Sequence, residues 1–391
     1  MQESSQIWWQ EITGPRTFIA NITEHLLDAS VIVKVPDDLP WRHEMRQEIQ
    51  SELREQYDYE EISVIIIDAE EEVGENTAIG AFVLERFALG DVARQYRKKS
   101  GKSITQYIIQ KNVLQNDVLW VKGITSETVK RWLDFLLEFN ACNSKKSRIV
   151  LEIRDDIQYP EQNTVEEIDY SSYISDNNLQ LFNSILLDRM PNITGAWKRY
   201  LSALAACLCE TDAEIAEYFL NEHAEQAGSP ISILKTIAQD SDYSRRGAAD
   251  GSSHILSLVR HKCTSQIERR IWKAQLQVLF PVVEAERINL IERIKHDLTA
   301  MISVREIRQY GESIVNPYDF EWGTLFYAMK LTSINGEYYL KSLSKADREE
   351  IRRFRDYRNN LAHGDCCTVT QVSEILAVAP SEQEKQLKSL V

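Results

Sequence analysis

The chain has 391 residues, enough for two or three domains with sizeable cores. Hydrophobic residues make up 43%, ordinary for a folded protein, and the net charge of −15 disfavours broad, non-specific nucleic-acid binding while leaving room for a local basic site. The opening "MQESSQIWWQEITG" has no basic stretch followed by an apolar core, the longest apolar runs, such as "VIII" at 64–67, are far too short to span a membrane, and the six cysteines show no framework spacing. The expectation is a reduced, cytoplasmic protein with no membrane partner.

In chain order, "GPRTFIANITEHLLD" reads as a helix opened by Pro15. "ASVIVKVP" (29–36) is a short β-branched strand, and "WRHEMRQEIQSELREQ" is a strongly charged helix. "ISVIIID" (62–68) is a near-continuous apolar strand, the pattern of a sheet covered on both faces. A helical stretch through "AIGAFVLERFAL" follows, then a third strand, "DVLWVKGIT" (117–125). "SETVKRWLDFLLEFN" is an amphipathic helix with Thr125 or Ser126 as its cap, and "SRIVLEIRD" (147–155) is a fourth strand. This alternation predicts an α/β domain over about residues 1–165, with a mostly parallel, Rossmann-like or P-loop-like sheet. The polar segment 158–172 reads as a linker or as the rim of that domain.

Beyond it the strand signal fades and an all-α region is expected. Residues 166–255 read as a helical linking domain, with a Thr211-x-x-Glu214 capping box and a Gly- and Ser-rich loop at 241–253 that suits disorder or a mobile lid. Residues 256–380 read as a helical bundle. Ile267, Ile271, Ala274 and Val278 keep helical spacing, Pro281 is expected to kink or restart the helix, and Val282, Ala285 and Ile288 continue the stripe. Ser344 with Asp347 forms another capping box, opening a helix that runs to Gly364, a residue suited to the left-handed C-terminal cap. Thr368 and Gln371 open a last short helix, and 381–391 reads as a frayed tail.

A phosphate loop would be the natural occupant of the first domain, yet "PDDLPWRHEM" follows the first strand, without glycines and with two aspartates that repel phosphate. "SGKS" (100–103) has Tyr96 where the first glycine of a Walker loop belongs. "VIIIDAEEE" (64–72) is similar to the strand and acid that hold magnesium in nucleotidases, but no phosphate cradle accompanies it. The seven histidines form no His-x-x-x-His, although His254 and His261, about two turns apart, could share a face, and neither Cys-x-x-Cys nor Gly-x-Ser-x-Gly is present. No metal or cofactor is expected.

The stretch "RDYRNNLAHGD" (355–365) stands apart. Arg348, Arg352 and Arg355 recur at spacings of four and three along a basic helix inside an acidic protein, and Arg358 extends the line. A guanidinium holds phosphate in a fork, and an imidazole transfers protons near neutral pH. On an ideal helix Arg358 and Ala362 roughly align and His363 is displaced by about 100° beyond Ala362, so Arg358 and His363 converge only if the helix end loosens or a second subunit contributes.

This segment resembles the HEPN family, small α-helical bundles whose signature is an Arg, an adjacent polar residue and a His four to six residues after the Arg. Arg358, Asn359 and His363 match it, over at most the last 110 residues or so. The resemblance implies a metal-independent endoribonuclease or an RNA-binding module, acting as a homodimer. His363 would be the acid/base, Arg358 the phosphate binder and Asn359 an orienting residue, with Arg348, Arg352 and Arg355 as RNA contacts. A degenerate nucleotidase-like sheet joined to such a bundle is similar to components of bacterial antiviral or toxin systems, whose other proteins would be partners. The alternative is a non-catalytic scaffold or adaptor subunit.

Overall fold

Five short strands make one sheet: β1 (Val31–Val35), β2 (Val64–Asp68), β3 (Val118–Lys122), β4 (Arg148–Arg154) and β5 (Glu166–Asp169). Their order is β2-β3-β4-β1-β5, and every neighbouring pair is parallel. The computed structural model describes residues 3–56, 63–74, 77–96, 101–115, 117–142, 147–160, 162–191, 193–226, 229–248 and 251–379. The chain divides into two units, Met1–Phe182 with Thr211–Glu214, and Asn183–Glu210 with Ile215–Val391.

The sheet belongs to the first unit. Side chains alternate along each strand, so one face gathers Ile32, Ile67, Leu119, Val121, Ile149, Leu151 and Ile153. Against them pack α3 (Ile79–Phe87), α4 (Ile104–Gln110) and α5 (Val129–Ala141), through Val83, Ile108, Trp132 and Leu136 among others. The opposite parity carries Trp120 and Glu152, and the Glu152 carboxylate accepts from both the Trp120 indole and Arg46 of the charged helix α2 (Arg42–Gln56). Helix α1 (Thr13–Asp28) has the helical span expected of it, and Arg148 donates to its last carbonyls, Leu26 and Leu27.

Several readings change. Strand β2 is an edge strand, with Ile66 40% exposed, so its apolar run does not mark a strand covered on both faces. Strand β5 lies inside the segment read as linker or rim. Its Glu166 and Glu167 are exposed, and an edge strand of four polar-rich residues gives no β-branched signal. Helix α5 begins at Val129, after a turn in which Thr125 N–H donates to Thr128 Oγ1. The helix after Thr211 begins at Ala213, and Glu214 accepts from Trp41 N–H at 2.6 Å, so Thr211 and Glu214 are not its capping pair.

The second unit is helical. Its main elements are α6 (Gly195–Cys209), α7 (Pro230–Gln239), α8 (Ile255–Arg260), α9 (Thr264–Val304), α10 (Trp322–Ala328), α11 (Lys345–His363) and α12 (Val369–Ala377). Helix α9 runs 41 residues and does not restart at Pro281, although that residue leaves the Gln277 carbonyl without its usual donor. Past the proline the buried stripe is Val283, Glu286, Leu290 and Ile294, one register away from Val282, Ala285 and Ile288. A buried glutamate paired with Arg293 at 3.1 Å holds one of these positions, and a search for apolar periodicity passes over it. A small hairpin, β6 (Arg308–Gln309) and β7 (Glu312–Ser313), turns at Tyr310 and Gly311, both at positive φ. In the loop expected to be a mobile lid, Arg260 donates to the carbonyls of Tyr243 and Arg246 at 2.7 and 2.6 Å, while residues 249 and 250 lie outside the described residues. The expected tail, 381–391, also lies outside them. Among the described residues no helix is long and apolar enough to cross a membrane.

Candidate functional site

Helix α11 starts and stops where its sequence dictates. Ser344 Oγ accepts from Asp347 N–H at 3.1 Å and Asp347 Oδ2 accepts from Ser344 N–H at 2.9 Å, a reciprocal capping box. At the other end Gly364 sits at φ +89°, and the N–H groups of Gly364 and Asp365 both reach the Asn360 carbonyl. Ile351, Phe354, Tyr357 and Leu361 form the buried face. Phe354 stacks on Trp322 with centroids 5.3 Å apart, and the Trp272 indole donates to the Leu361 carbonyl at 2.7 Å.

The arginines face a segment, 306–341, that sequence reasoning did not single out. Arg348 donates to the Met329 carbonyl at 2.6 Å and lies 4.5 Å from the Tyr338 ring centroid. Arg355 stacks on Phe326 at 3.7 Å, and Lys330 sits 3.7 Å from the same ring. Arg358 pairs with Glu321 at 3.2 Å, and the same carboxylate oxygen accepts from Tyr310 Oη at 2.9 Å. Arg352 is exposed and makes no ion pair with a described residue. The expected strip of free cations is thus divided: Arg348 and Arg355 hold the fold together, Arg358 is engaged by an acid, and Arg352 meets solvent. The turn dipeptides Tyr310–Gly311 and Asn335–Gly336 were the available signal for this segment.

His363 is exposed, and Asn359 and Asn360 are half-buried. The helix stays regular through His363, so Arg358 and His363, five residues apart, point about 140° from each other. The end does not loosen to bring them together, and one chain does not unite Arg358, Asn359 and His363 in a single cleft.

The first unit shows what fills the place of a phosphate loop. Arg42 Nη2 donates to the carbonyls of Pro36 and Asp37 at 2.8 and 3.1 Å, so the turn after β1 folds its acceptors around a guanidinium. Beyond the strand ends lie Asp37, Asp155 and Asp156, and burial, with Asp156 and Asp169 nearby, pushes the Asp155 carboxyl up. In "SGKS", Ser103 caps α4 and Lys102 donates to Gln110 at 2.7 Å. Asp68, the acid at the end of β2, is bound at 2.5 Å by Lys122 of β3. Burial raises its carboxyl, but the Lys122 hydrogen bond and charge outweigh that and hold it below the usual carboxylate range. Gly123 follows at φ +68°, where a Cβ would lie 2.3 Å from Asp68 Oδ1, so the pair depends on glycine there. His254 and His261 are bonded locally, His254 Nδ1 to Leu256 N–H and His261 Nδ1 to the Ser257 carbonyl.

No protein-family model matches the chain, and no curated protein sequence matches it.

Proposed function

We propose that the second unit is a HEPN-like module that binds and cuts RNA without a metal, in a bacterial defence or toxin setting, with two copies of the chain completing the site. The observation that carries this reading is the exposure of His363 at the end of a helix whose apolar face is fully packed. A histidine kept for packing would be buried. In this mechanism a ribose 2′-OH attacks the adjacent phosphorus, the bond to the 5′-oxygen breaks, and a cyclic phosphate remains. His363 moves the proton, and Arg358, released from Glu321, forks onto the phosphate. Because the two residues diverge within one chain, His363 of one copy serves Arg358 of the other. His363→Ala is expected to lower cleavage about 10²–10⁴-fold with RNA affinity nearly unchanged, and cleavage is expected to persist in chelator. Unchanged cleavage by a well-folded His363→Ala protein would overturn the assignment.

The alternative, a non-catalytic scaffold for partner proteins, draws on a different observation. Arg348, Arg355 and Arg358 are already engaged within the chain, which leaves Arg352 as the free cation among these four. On that reading Arg352→Ala leaves RNA affinity unchanged, whereas an RNA surface loses affinity and one unit of salt dependence.

A further inference from the structure

Helices α6, α7, α9 and α12 of the second unit enclose a cavity of about 300 Å³, at the small end of the range that holds small molecules. Trp197, Ile231, Ile271, Val369 and Val372 give it an apolar lining, and Trp197 meets Tyr200 edge-on at 5.9 Å. Its polar groups are mostly uncharged. Burial drives the Tyr200 hydroxyl up to about 12, the Cys366 thiol up to about 11 and the Cys367 thiol up to about 12, so all three are neutral at pH 7. Gln275 has both ends of its amide bonded to the Cys367 backbone, at 2.7 and 2.9 Å.

One charged side chain lines the cavity among the described residues, that of Glu268, which is exposed; no Lys, Arg or His contributes. Helices α6, α7 and α12 begin here, and helix N-termini favour anions. Two of those ends, of α6 and α12, are capped by side chains, however, and that of α7 has no side-chain cap but begins with a proline. Thr194 Oγ1 takes the Trp197 N–H, Thr368 and Gln371 form a capping box, and Pro230 has no N–H to give. A whole carboxylate charge then sets the preference.

We infer that this cavity binds a small organic cation, with its aromatic or aliphatic body among Trp197, Ile271 and Val372 and its ammonium group toward Glu268. Ammonium and indole face attract one another, which adds to the selection. The site does not depend on the RNA reading. It does touch Cys366 and Cys367, which lie two and three residues after Gly364, so an occupant would bear on the segment that ends the motif helix.

Three probes that share a phenyl body separate the possibilities: phenethylamine, 2-phenylethanol and 3-phenylpropionate. Calorimetric titration of the whole chain is expected to show saturable binding of the amine, weaker binding of the alcohol and none of the carboxylate. Glu268→Gln, at an exposed position, is expected to lower amine affinity by up to about fivefold, toward that of the alcohol. Val369→Trp, at a position 45% exposed, is expected to fill the cavity and abolish binding with the melting temperature retained. No saturable binding of any probe, carboxylate binding as tight as the amine's, or full binding to folded Val369→Trp protein would each overturn the proposal.

Discussion

Glu152 and the end of α11 show two opposite uses of polar side chains. Around Glu152, inside the first unit, charge is buried and matched. Arg46 grips the carboxylate with contacts of 2.7–3.0 Å, the Trp120 indole donates at 2.6 Å, and Arg42 stands at 3.4 Å. Every strong donor there is spent on the fold. At the end of α11 the helix buries its apolar face and leaves His363 in solvent. Polar groups that complete a network are structural, whereas a polar group that the fold does not use is the better place to look for chemistry.

The sharpest way to break this comparison is Glu152→Ala. Removing one partner of a buried ion pair strands the other, and the expected loss is about 3–5 kcal/mol of stability, read by chemical denaturation. A loss below about 1 kcal/mol, the worth of an exposed pair, would erase the distinction. Gln275→Ala comes next. It frees the buried N–H and C=O of Cys367, and the expected cost is about 1–3 kcal/mol. His363→Ala, on the other side of the comparison, is expected to change stability by no more than about 0.5 kcal/mol, as for an ordinary surface site. A large drop in its melting temperature would move His363 into the structural class.

The smallest effect is one of pH. Lys122 holds the Asp68 carboxyl below its unfolded value, so the pair contributes stability above about pH 4, and that contribution is lost as pH falls through the lowered folded value. Asp68→Asn is therefore expected to melt earlier than the parent at pH 7, with the gap closing in acid. A gap that stays constant down to low pH would show that the carboxylate charge contributes nothing.

Local signals account for most of what the sequence revealed. Strands β1 to β4 are runs of β-branched residues separated by helical periodicity, and α11 has a capping box at one end and a glycine at the other. Strand β5 was hidden because its pairing with β1 is a long-range contact and its own residues are polar. Glu286 was hidden because Arg293, seven residues on, makes its burial tolerable. At the candidate site Arg358, Asn359 and His363 were visible as letters. Their divergence was legible from the five-residue spacing on a regular helix, whereas the grip of Glu321 on Arg358 and the stacking of Arg355 on Phe326 come from a segment far off in the chain that no spacing within "RDYRNNLAH" encodes.

One consequence follows from Trp272 and Gln275. They lie three residues, about 4.5 Å, apart along α9. Trp272 takes the Leu361 carbonyl before the left-handed turn at Gly364, and Gln275 takes both backbone groups of Cys367 after it. Helix ends ordinarily fray in nanoseconds to microseconds. Here the main chain on both sides of the turn is tied to one 41-residue rod, so the amides of Gly364, Asp365 and Cys367 should exchange with solvent on the slow clock of α9. What moves quickly at this end is then the imidazole about its own side-chain bonds, swinging from a backbone that keeps still.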